Sequence, residues 1–153
     1  MQKITTFLWF DNQAEEAANF YVSIFRNSKI TNVARYGEGA PAPRGSVMTV
    51  AFQLEGQSFI ALNGGPLFHF TEAISLFVNC DSQQEVDDLW EKLVAGGTPS
   101  RCGWLKDKYG LSWQIIPSAL MEALSNKDPE KAKRSMQAML QMVKIDIEKI
   151  KNA

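Results

Sequence analysis

Apolar and polar positions divide the first half of the chain into a strand, a helix and three further strands. Residues 4–10 form an aromatic and β-branched run, which predicts a strand. Apolar side chains then recur at helical spacing from Ala17 to Phe25, and Asp11 or Asn12 is placed to cap this helix. Further strands are predicted over residues 29–36, 46–54 and 57–63, after which Gly64-Gly65-Pro66 breaks the pattern.

The second half repeats this order of elements. Residues 72–79 predict a strand, and Ser82 followed by Glu85 is a capping-box pattern that predicts a helix ending at Gly96-Gly97. Strand-like segments continue from there to Pro117. The repeat predicts an α+β fold of two tandem βαβββ units, about residues 1–66 and 72–117, which form curved mixed sheets.

A helical extension follows the two repeats. Asp128-Pro129-Glu130 combines a capping residue, a first-turn proline and a first-turn acid, which is a strong helix start. We therefore expect a domain over residues 1–127 and a C-terminal helix over residues 128–153. Its apolar stripe includes Met136 and Met139.

The segment from Cys102 to Pro117 predicts a β-hairpin. Its turn is Asp107-Lys108-Tyr109-Gly110, in which Gly110 can take a positive φ. Alternation in the second strand puts Ser112 and Gln114 on one face, and Leu111, Trp113 and Ile115 on the other. The apolar face suits a covering helix, whereas the polar face suits the wall of a cavity.

The composition and net charge of the chain argue against some classes of binding partner. The chain has 153 residues, 45% of them hydrophobic, and a net charge of −1, which are the values of an ordinary globular protein. This charge gives no electrostatic reason to bind nucleic acid or an anionic membrane. We expect no signal peptide, because the first residues contain one lysine and a short apolar run that ends at Asp11. No stretch approaches the roughly 18 apolar residues of a membrane span. Cys80 and Cys102 make no disulfide framework, so we expect a cytoplasmic protein with reduced thiols.

Motifs along nearly the whole chain resemble one known family. They are Leu8-Trp9-Phe10-Asp11, Ala14-Glu15-Glu16-Ala17, Gly64-Gly65-Pro66, Cys80-Asp81, Glu85-Val86-Asp87, Trp90, Cys102-Gly103-Trp104-Leu105, Tyr109-Gly110-Leu111-Ser112-Trp113-Gln114 and Asp128-Pro129. In these motifs the chain resembles the PhnB-like branch of the vicinal oxygen chelate superfamily, which includes glyoxalase I and bleomycin-resistance proteins. This branch is often labelled demethylubiquinone methyltransferase. An S-adenosylmethionine site normally has a glycine-rich loop that opens a helix, whereas Pro66 follows the glycines here.

The resemblance implies four metal-ligand positions, which this sequence fills with poor ligands. Metal-using relatives hold a divalent cation with His, Glu and sometimes Gln from the first and last strands of each repeat. The corresponding positions here are Thr6, Ala61, Ser75 and Gln114. Two hydroxyls, a methyl and an amide do not retain Zn²⁺, Ni²⁺ or Fe²⁺ usefully. We therefore expect no metal and no other cofactor.

A cavity for a small molecule remains compatible with the loss of the metal. The residues expected to face it combine apolar walls with a few polar groups, as small-molecule pockets do. They are Thr6, Leu8, Phe10, Ala61 and Asn63 from the first unit, with Ser75, Phe77, Trp104, Ser112 and Gln114 from the second. The alternative is that these side chains only fill the inside of a small curved sheet.

Other candidate residues favour structural roles. Asp107 is expected to be part of a charged turn. Because it would lie beside the cavity, a role as a catalytic acid is the alternative. Cys102 could act as a nucleophile only with a base nearby, and His69, the chain's single histidine, is not obviously placed to serve.

Three functions remain open from the sequence. The first is a metal-free protein that sequesters a small aromatic or amphiphilic compound, as bleomycin-resistance relatives do. The second is an enzyme of the same superfamily, a lyase, isomerase or transferase, which uses Gln114, Ser75 or Asp107 as acid–base or polarising groups. The third is an interaction module that acts through its C-terminal helix. Because relatives pair their βαβββ units within or between chains, we also expect a homodimer.

Overall fold

The computed structural model describes residues 2–153, and the chain divides into two compact units between His69 and Phe70. The elements of the first unit are β1 (Thr6–Phe10), α1 (Ala14–Ile24), β2 (Lys29–Arg35), β3 (Val47–Leu54) and β4 (Gln57–Asn63). Its strands form a mixed sheet of order β1-β4-β3-β2, in which β1 and β4 are parallel and the other pairs antiparallel. The first predicted βαβββ unit is therefore confirmed.

The second unit repeats this topology. Its elements are β5 (Ser75–Cys80), α2 (Gln83–Val94), β6 (Thr98–Pro99), β7 (Trp104–Lys106) and β8 (Ser112–Pro117). The sheet order is β5-β8-β7-β6, again with the first and last strands parallel. The α+β class and the tandem repeat are both confirmed.

Three helices follow the second sheet: α3 (Ser118–Leu124), α4 (Pro129–Leu140) and α5 (Ile147–Lys151). Residues 128–153 thus form two helices instead of the single one expected. The helical pattern is interrupted because the backbone N–H groups of Cys102 and Gly103 donate to the carbonyls of Met142 and Val143, both at 2.8 Å. Ile116, Leu120, Met142, Ile145 and Ile150 form a buried cluster that attaches this extension to β8.

Helices α2 and α4 are capped by residues adjacent to them in sequence, and α1 is capped by a residue that is distant in sequence. Ser82 Oγ accepts a hydrogen bond from Glu85 N, and Asp128 Oδ1 accepts one from Glu130 N, as predicted. The cap of α1 is different: Ala14 N donates to Asn63 Oδ1 at 2.8 Å, and neither Asp11 nor Asn12 supplies it. Within residues 2–153, no helix has the length and apolar character needed to cross a bilayer.

The predicted hairpin is confirmed, and a buried carboxylate holds its turn. Gly110 has a φ of 86° and donates its N–H to the Asp107 carbonyl. Asp107 is only 2% exposed. Its Oδ1 accepts from the backbone N–H groups of Tyr109 and Leu111, and its Oδ2 accepts from Trp113 Nε1 at 2.9 Å. Because both carboxylate oxygens accept these bonds, Asp107 has a structural role in the turn.

Candidate functional site

The polar residues of the second unit lie together on the face of its sheet opposite α2. Trp113 and Ile115 point to the other face and are buried, and α2 packs against β7 and β8 there. Directly paired residues of neighbouring strands share a face. The pairing puts Thr98, Lys106, Ser112 and Ser75 in one row, and Trp104, Gln114 and Phe77 in the next. We call these seven residues the polar face.

A cavity of about 280 Å³ lies against the first of these rows. Its lining includes Glu72, Thr98, Ser100, Trp104, Lys106 and Ser112. Trp104 and Ser112, which the sequence placed in the candidate set, are therefore brought to one cavity.

Ser112 is the unusual member of this lining. Its side chain is in a residue only 1% exposed, and its Oγ makes no hydrogen bond to any group in residues 2–153. A buried hydroxyl without a partner costs stability because it has lost water and gained nothing in exchange. Such groups are uncommon in native proteins. Ser112 is also one of the residues that line the cavity.

Lys106 places a cation at this cavity, beside the Glu72 carboxylate that also lines it. Its Nζ lies 2.5 Å from Glu72 Oε1. The hydrogen bond from Lys106, and then its charge, hold the pKa of Glu72 below the ordinary value of a glutamate. Lys106 is fixed on β7, whereas Glu72 lies in the exposed turn that precedes β5.

Ser75 and Gln114 interact with each other across the sheet. Gln114 Nε2 donates to Ser75 Oγ at 3.0 Å. The resemblance assigned these two residues, with Thr6 and Ala61, to the ligand positions of metal-using relatives. Thr6 and Ala61 lie on the sheet face beneath α1, whereas Ser75 and Gln114 lie on the face opposite α2. This set contains no imidazole, carboxylate or thiolate, so it does not fit a divalent transition metal. Within residues 2–153, no three His, Cys, Asp or Glu side chains are grouped so that they could hold a metal ion.

The candidate residues of the first unit lie elsewhere. Leu8, Phe10 and Ala61 are buried. They share a sheet face with Phe52, whose ring centroid lies 6.2 Å from that of Tyr21 in α1. This face is therefore the packed core beneath α1, and it is not the open cavity wall that we expected.

Thr6 and Asn63 complete the first-unit set. Thr6 is partly exposed at the start of β1. The Asn63 side chain caps α1 through Oδ1 and donates through Nδ2 to the Val47 carbonyl at 3.1 Å. Ligand contact by the five first-unit residues stays a prediction.

Lys106 and Glu72 line the cavity but were not among the cavity residues predicted from the sequence. Lys106 directly precedes the charged turn that begins at Asp107. Its spacing of two from Trp104 is a signal that both side chains share a face of one strand. Glu72 carries no such signal, because only tertiary structure brings its turn to Lys106.

The glycine pair after β4 has a packing role. A Cβ on Gly64 would lie 2.5 Å from atoms of the Trp9 ring, and Trp9 Nε1 donates to the Gly65 carbonyl at 2.9 Å. No helix begins between residues 64 and 70. The glycines thus allow the indole to pack closely, and they do not form the helix-opening loop of an S-adenosylmethionine site.

Residues 2–116 match the protein family described as 3-demethylubiquinone-9 3-methyltransferase. The chain belongs to this family. A solved structure of the PhnB protein from Bacillus cereus is 41% identical in sequence to this PhnB-like chain. The match covers 76% of this chain and 99% of the Bacillus cereus chain, with a TM-score of 0.70. No curated protein matches the sequence. Because the family match ends at residue 116, helices α3 to α5 lie outside it.

More distant solved structures share the fold of the PhnB-like chain. Protein PA1353 from Pseudomonas aeruginosa is 19% identical over 76% of this chain and 98% of its own, with a TM-score of 0.63. The fosfomycin resistance protein FosX from Listeria monocytogenes is 15% identical over 76% of this chain and 93% of its own, with a TM-score of 0.52. Likenesses at this level show the fold alone. The PhnB-like assignment is confirmed by the family match and by the Bacillus cereus protein. The fold is the one found in these more distant structures.

Proposed function

We propose that this PhnB-like chain is a metal-free small-molecule-binding protein whose site is the cavity on the polar face. The observation that carries the proposal is Ser112, a residue of the cavity lining whose buried hydroxyl has no hydrogen-bond partner in the described chain. A cavity of about 280 Å³ is slightly smaller than the range of about 300–1,000 Å³ for small-molecule sites. It suits a ligand of one or two rings.

The chemistry of the polar face favours binding over catalysis. Ser75, Ser112 and Gln114 carry hydroxyl and amide groups, which donate and accept hydrogen bonds but do not titrate near neutral pH. Trp104 adds an aromatic surface at the cavity wall. These residues can orient a ligand, and none of the three polar groups is a ready acid or base.

A fragment screen by ligand-observed NMR tests the proposal. The proteins are wild type, Ser112→Ala and Ser135→Ala; Ser135 is the matched control, because it is also buried but lies in α4. We expect ring-containing fragments with a polar atom to bind Ser112→Ala about five- to tenfold more weakly than the other two proteins, the effect of one hydrogen bond. Equal affinities for all three, or no binding fragment, would refute the site.

The metal-free part of the proposal has its own test. Protein purified without chelator and without an affinity-tag metal is expected to contain no stoichiometric metal. Added Zn²⁺, Ni²⁺, Mn²⁺ or Fe²⁺ should leave its Tm unchanged, because a ligand stabilises only a protein that binds it. A rise of several degrees with one ion would show that a metal site exists.

We also propose a cytoplasmic homodimer. Exposed large apolar side chains, among them Phe7, Phe68, Ile74 and Phe77, support an interface between copies. The thiols of Cys80 and Cys102 are both free, which suits a reducing compartment. Light scattering at micromolar concentration should give the mass of two chains, and the mass of one chain would contradict the dimer.

A further inference from the structure

We propose that the ligand of this site is an aromatic acid whose carboxylate binds Lys106 and Ser112, and that Glu72 occupies the carboxylate position until such a ligand displaces it. This inference rests on the proposed function and deepens it by naming the class of ligand. Its basis is the placement of one cation, one hydroxyl without a partner and one indole around the same cavity.

The spacing of Lys106 and Ser112 suits a carboxylate. The two residues pair directly across β7 and β8, so their side chains rise side by side from one face. Paired residues of antiparallel strands have Cβ atoms about 4.5–5.5 Å apart. A ligand carboxylate can therefore accept a hydrogen bond from Lys106 Nζ with one oxygen and from Ser112 Oγ with the other. Both donors would then be satisfied.

Glu72 already shows that Lys106 binds a carboxylate at this cavity. Its Oε1 lies 2.5 Å from Lys106 Nζ. Both side chains are partly exposed, 42% for Lys106 and 63% for Glu72, so water and salt weaken their attraction. Lys106 is held by a strand, whereas Glu72 extends from an exposed turn. The glutamate is thus the member of the pair that an incoming anion can replace.

Trp104 indicates that the rest of the ligand is a planar ring. It lies two residues before Lys106 on the same face of β7, and it lines the cavity. An aromatic acid anchored at Lys106 and Ser112 can pack its ring on this indole. The ring contact gains from both buried apolar area and aromatic geometry.

The test compares two probes of the same shape and different charge, 2-naphthoate and 2-naphthamide, by isothermal titration calorimetry. Wild type is expected to bind the acid at least about tenfold more tightly than the amide, because a charge-assisted bond is stronger than a neutral one. Lys106→Met, which keeps the apolar stem, should abolish this preference, and Lys106→Arg should retain it. Lys92→Met, in α2 on the other side of the sheet, should behave as wild type.

The placeholder role of Glu72 makes an opposite prediction. Glu72→Gln should bind 2-naphthoate about three- to tenfold more tightly than wild type and leave 2-naphthamide unchanged, because Lys106 no longer has a resident anion. Unchanged or weaker binding of the acid by Glu72→Gln would overturn the placeholder role.

The remaining outcomes separate the two proposals. If wild type binds both probes equally and in a Ser112-dependent manner, the aromatic-acid inference is overturned while the binding site stands. If neither probe binds and no fragment responds to Ser112→Ala, both are overturned. The NMR signal of the Trp104 indole N–H, followed during each titration, reports whether a bound probe is in this cavity.

Discussion

At the scale of single residues, two of the buried polar side chains in the second unit are in opposite situations. Asp107 uses both carboxylate oxygens in hydrogen bonds, whereas Ser112, five residues later, uses none in the described chain. The first stabilises the hairpin, and the second weakens the core beside it. The proposed ligand site would supply the hydrogen-bond partner that Ser112 lacks.

Ser112→Ala should stabilise the folded protein. The substitution removes a buried hydroxyl that has no hydrogen-bond partner in residues 2–153, so the free energy of unfolding is expected to rise by about 1 kcal/mol. Urea denaturation measures the change. Ser135→Ala provides the comparison, and a clear loss of stability on removing the Ser112 hydroxyl would mean that it has a partner in solution.

Asp107→Ala should destabilise the protein strongly. It leaves the backbone N–H of Leu111 and the Trp113 indole N–H without their acceptor in a buried environment. We expect a loss of about 3 kcal/mol in the free energy of unfolding. The exposed neighbour Lys108, changed to alanine, should cost far less. Similar losses for the two variants would contradict the role of the carboxylate in the turn.

At the scale of elements, the helix caps formed by nearby residues were predicted, whereas the cap formed by a distant residue was not. Ser82 and Asp128 cap helices through backbone groups two or three residues away, so their roles are visible in a short stretch of sequence. The cap of α1 comes from Asn63, which lies 49 residues from Ala14. No local signal identifies such a partner.

The faces of the two sheets show the same limit. In β8, one face is polar and the other apolar, so alternation alone showed which face the helix covers. In β1, Phe7 and Trp9 on one face are as apolar as Leu8 and Phe10 on the other. The alternation of side chains along β1 then predicts which residues share a face, but it does not predict which of the two faces packs against α1. The sequence alone therefore could not show that Leu8 and Phe10 lie on the face that packs beneath α1.

Asn63→Ala should weaken the first unit. It removes the cap of α1 and the bond to the Val47 carbonyl, so we expect a loss of about 1–2 kcal/mol in the free energy of unfolding. Asn12→Ala is the matched control, because Asn12 supplies no cap to α1. If Asn12→Ala cost as much as Asn63→Ala in chemical denaturation, the sequence-based cap assignment would be the right one.

At the scale of the whole molecule, the chain consists of two family repeats and an extension that completes the core of the second. Met142, Ile145 and Ile150 are buried in the same cluster as Ile116 and Leu120. The extension is therefore a structural part of the second unit, although the family match ends before it.

Truncation after residue 127 should destabilise the second unit. It exposes Ile116 and Leu120, which are buried against residues of the extension. We expect a lower Tm and binding of the dye ANS to the exposed apolar surface. Removal of residues 152–153 alone serves as the control. A truncated protein with the wild-type Tm would show that the extension is a separate module.

Alkaline pH should destabilise the folded state through Cys80. Burial, and then nearby acidic groups, raise the pKa of its thiol to about 12, from 9.0 in an unfolded chain. The unfolded state therefore loses its proton first as the pH rises, and stability falls between about pH 9 and pH 12. Denaturation at a series of pH values measures this slope, which Cys80→Ala should reduce. An equal slope in both proteins would assign the effect to other groups.

The parallel pairing of the first and last strands in each repeat has a consequence for synthesis. β1 pairs only with β4 in its sheet, and β4 is the last strand of its unit to leave the ribosome. At about 5–20 residues per second, the aromatic segment Phe7-Leu8-Trp9-Phe10 spends a few seconds without its strand partner. During that interval it is a natural binding segment for a nascent-chain chaperone. Translation pauses before Gln57 would lengthen the interval and raise the risk of aggregation.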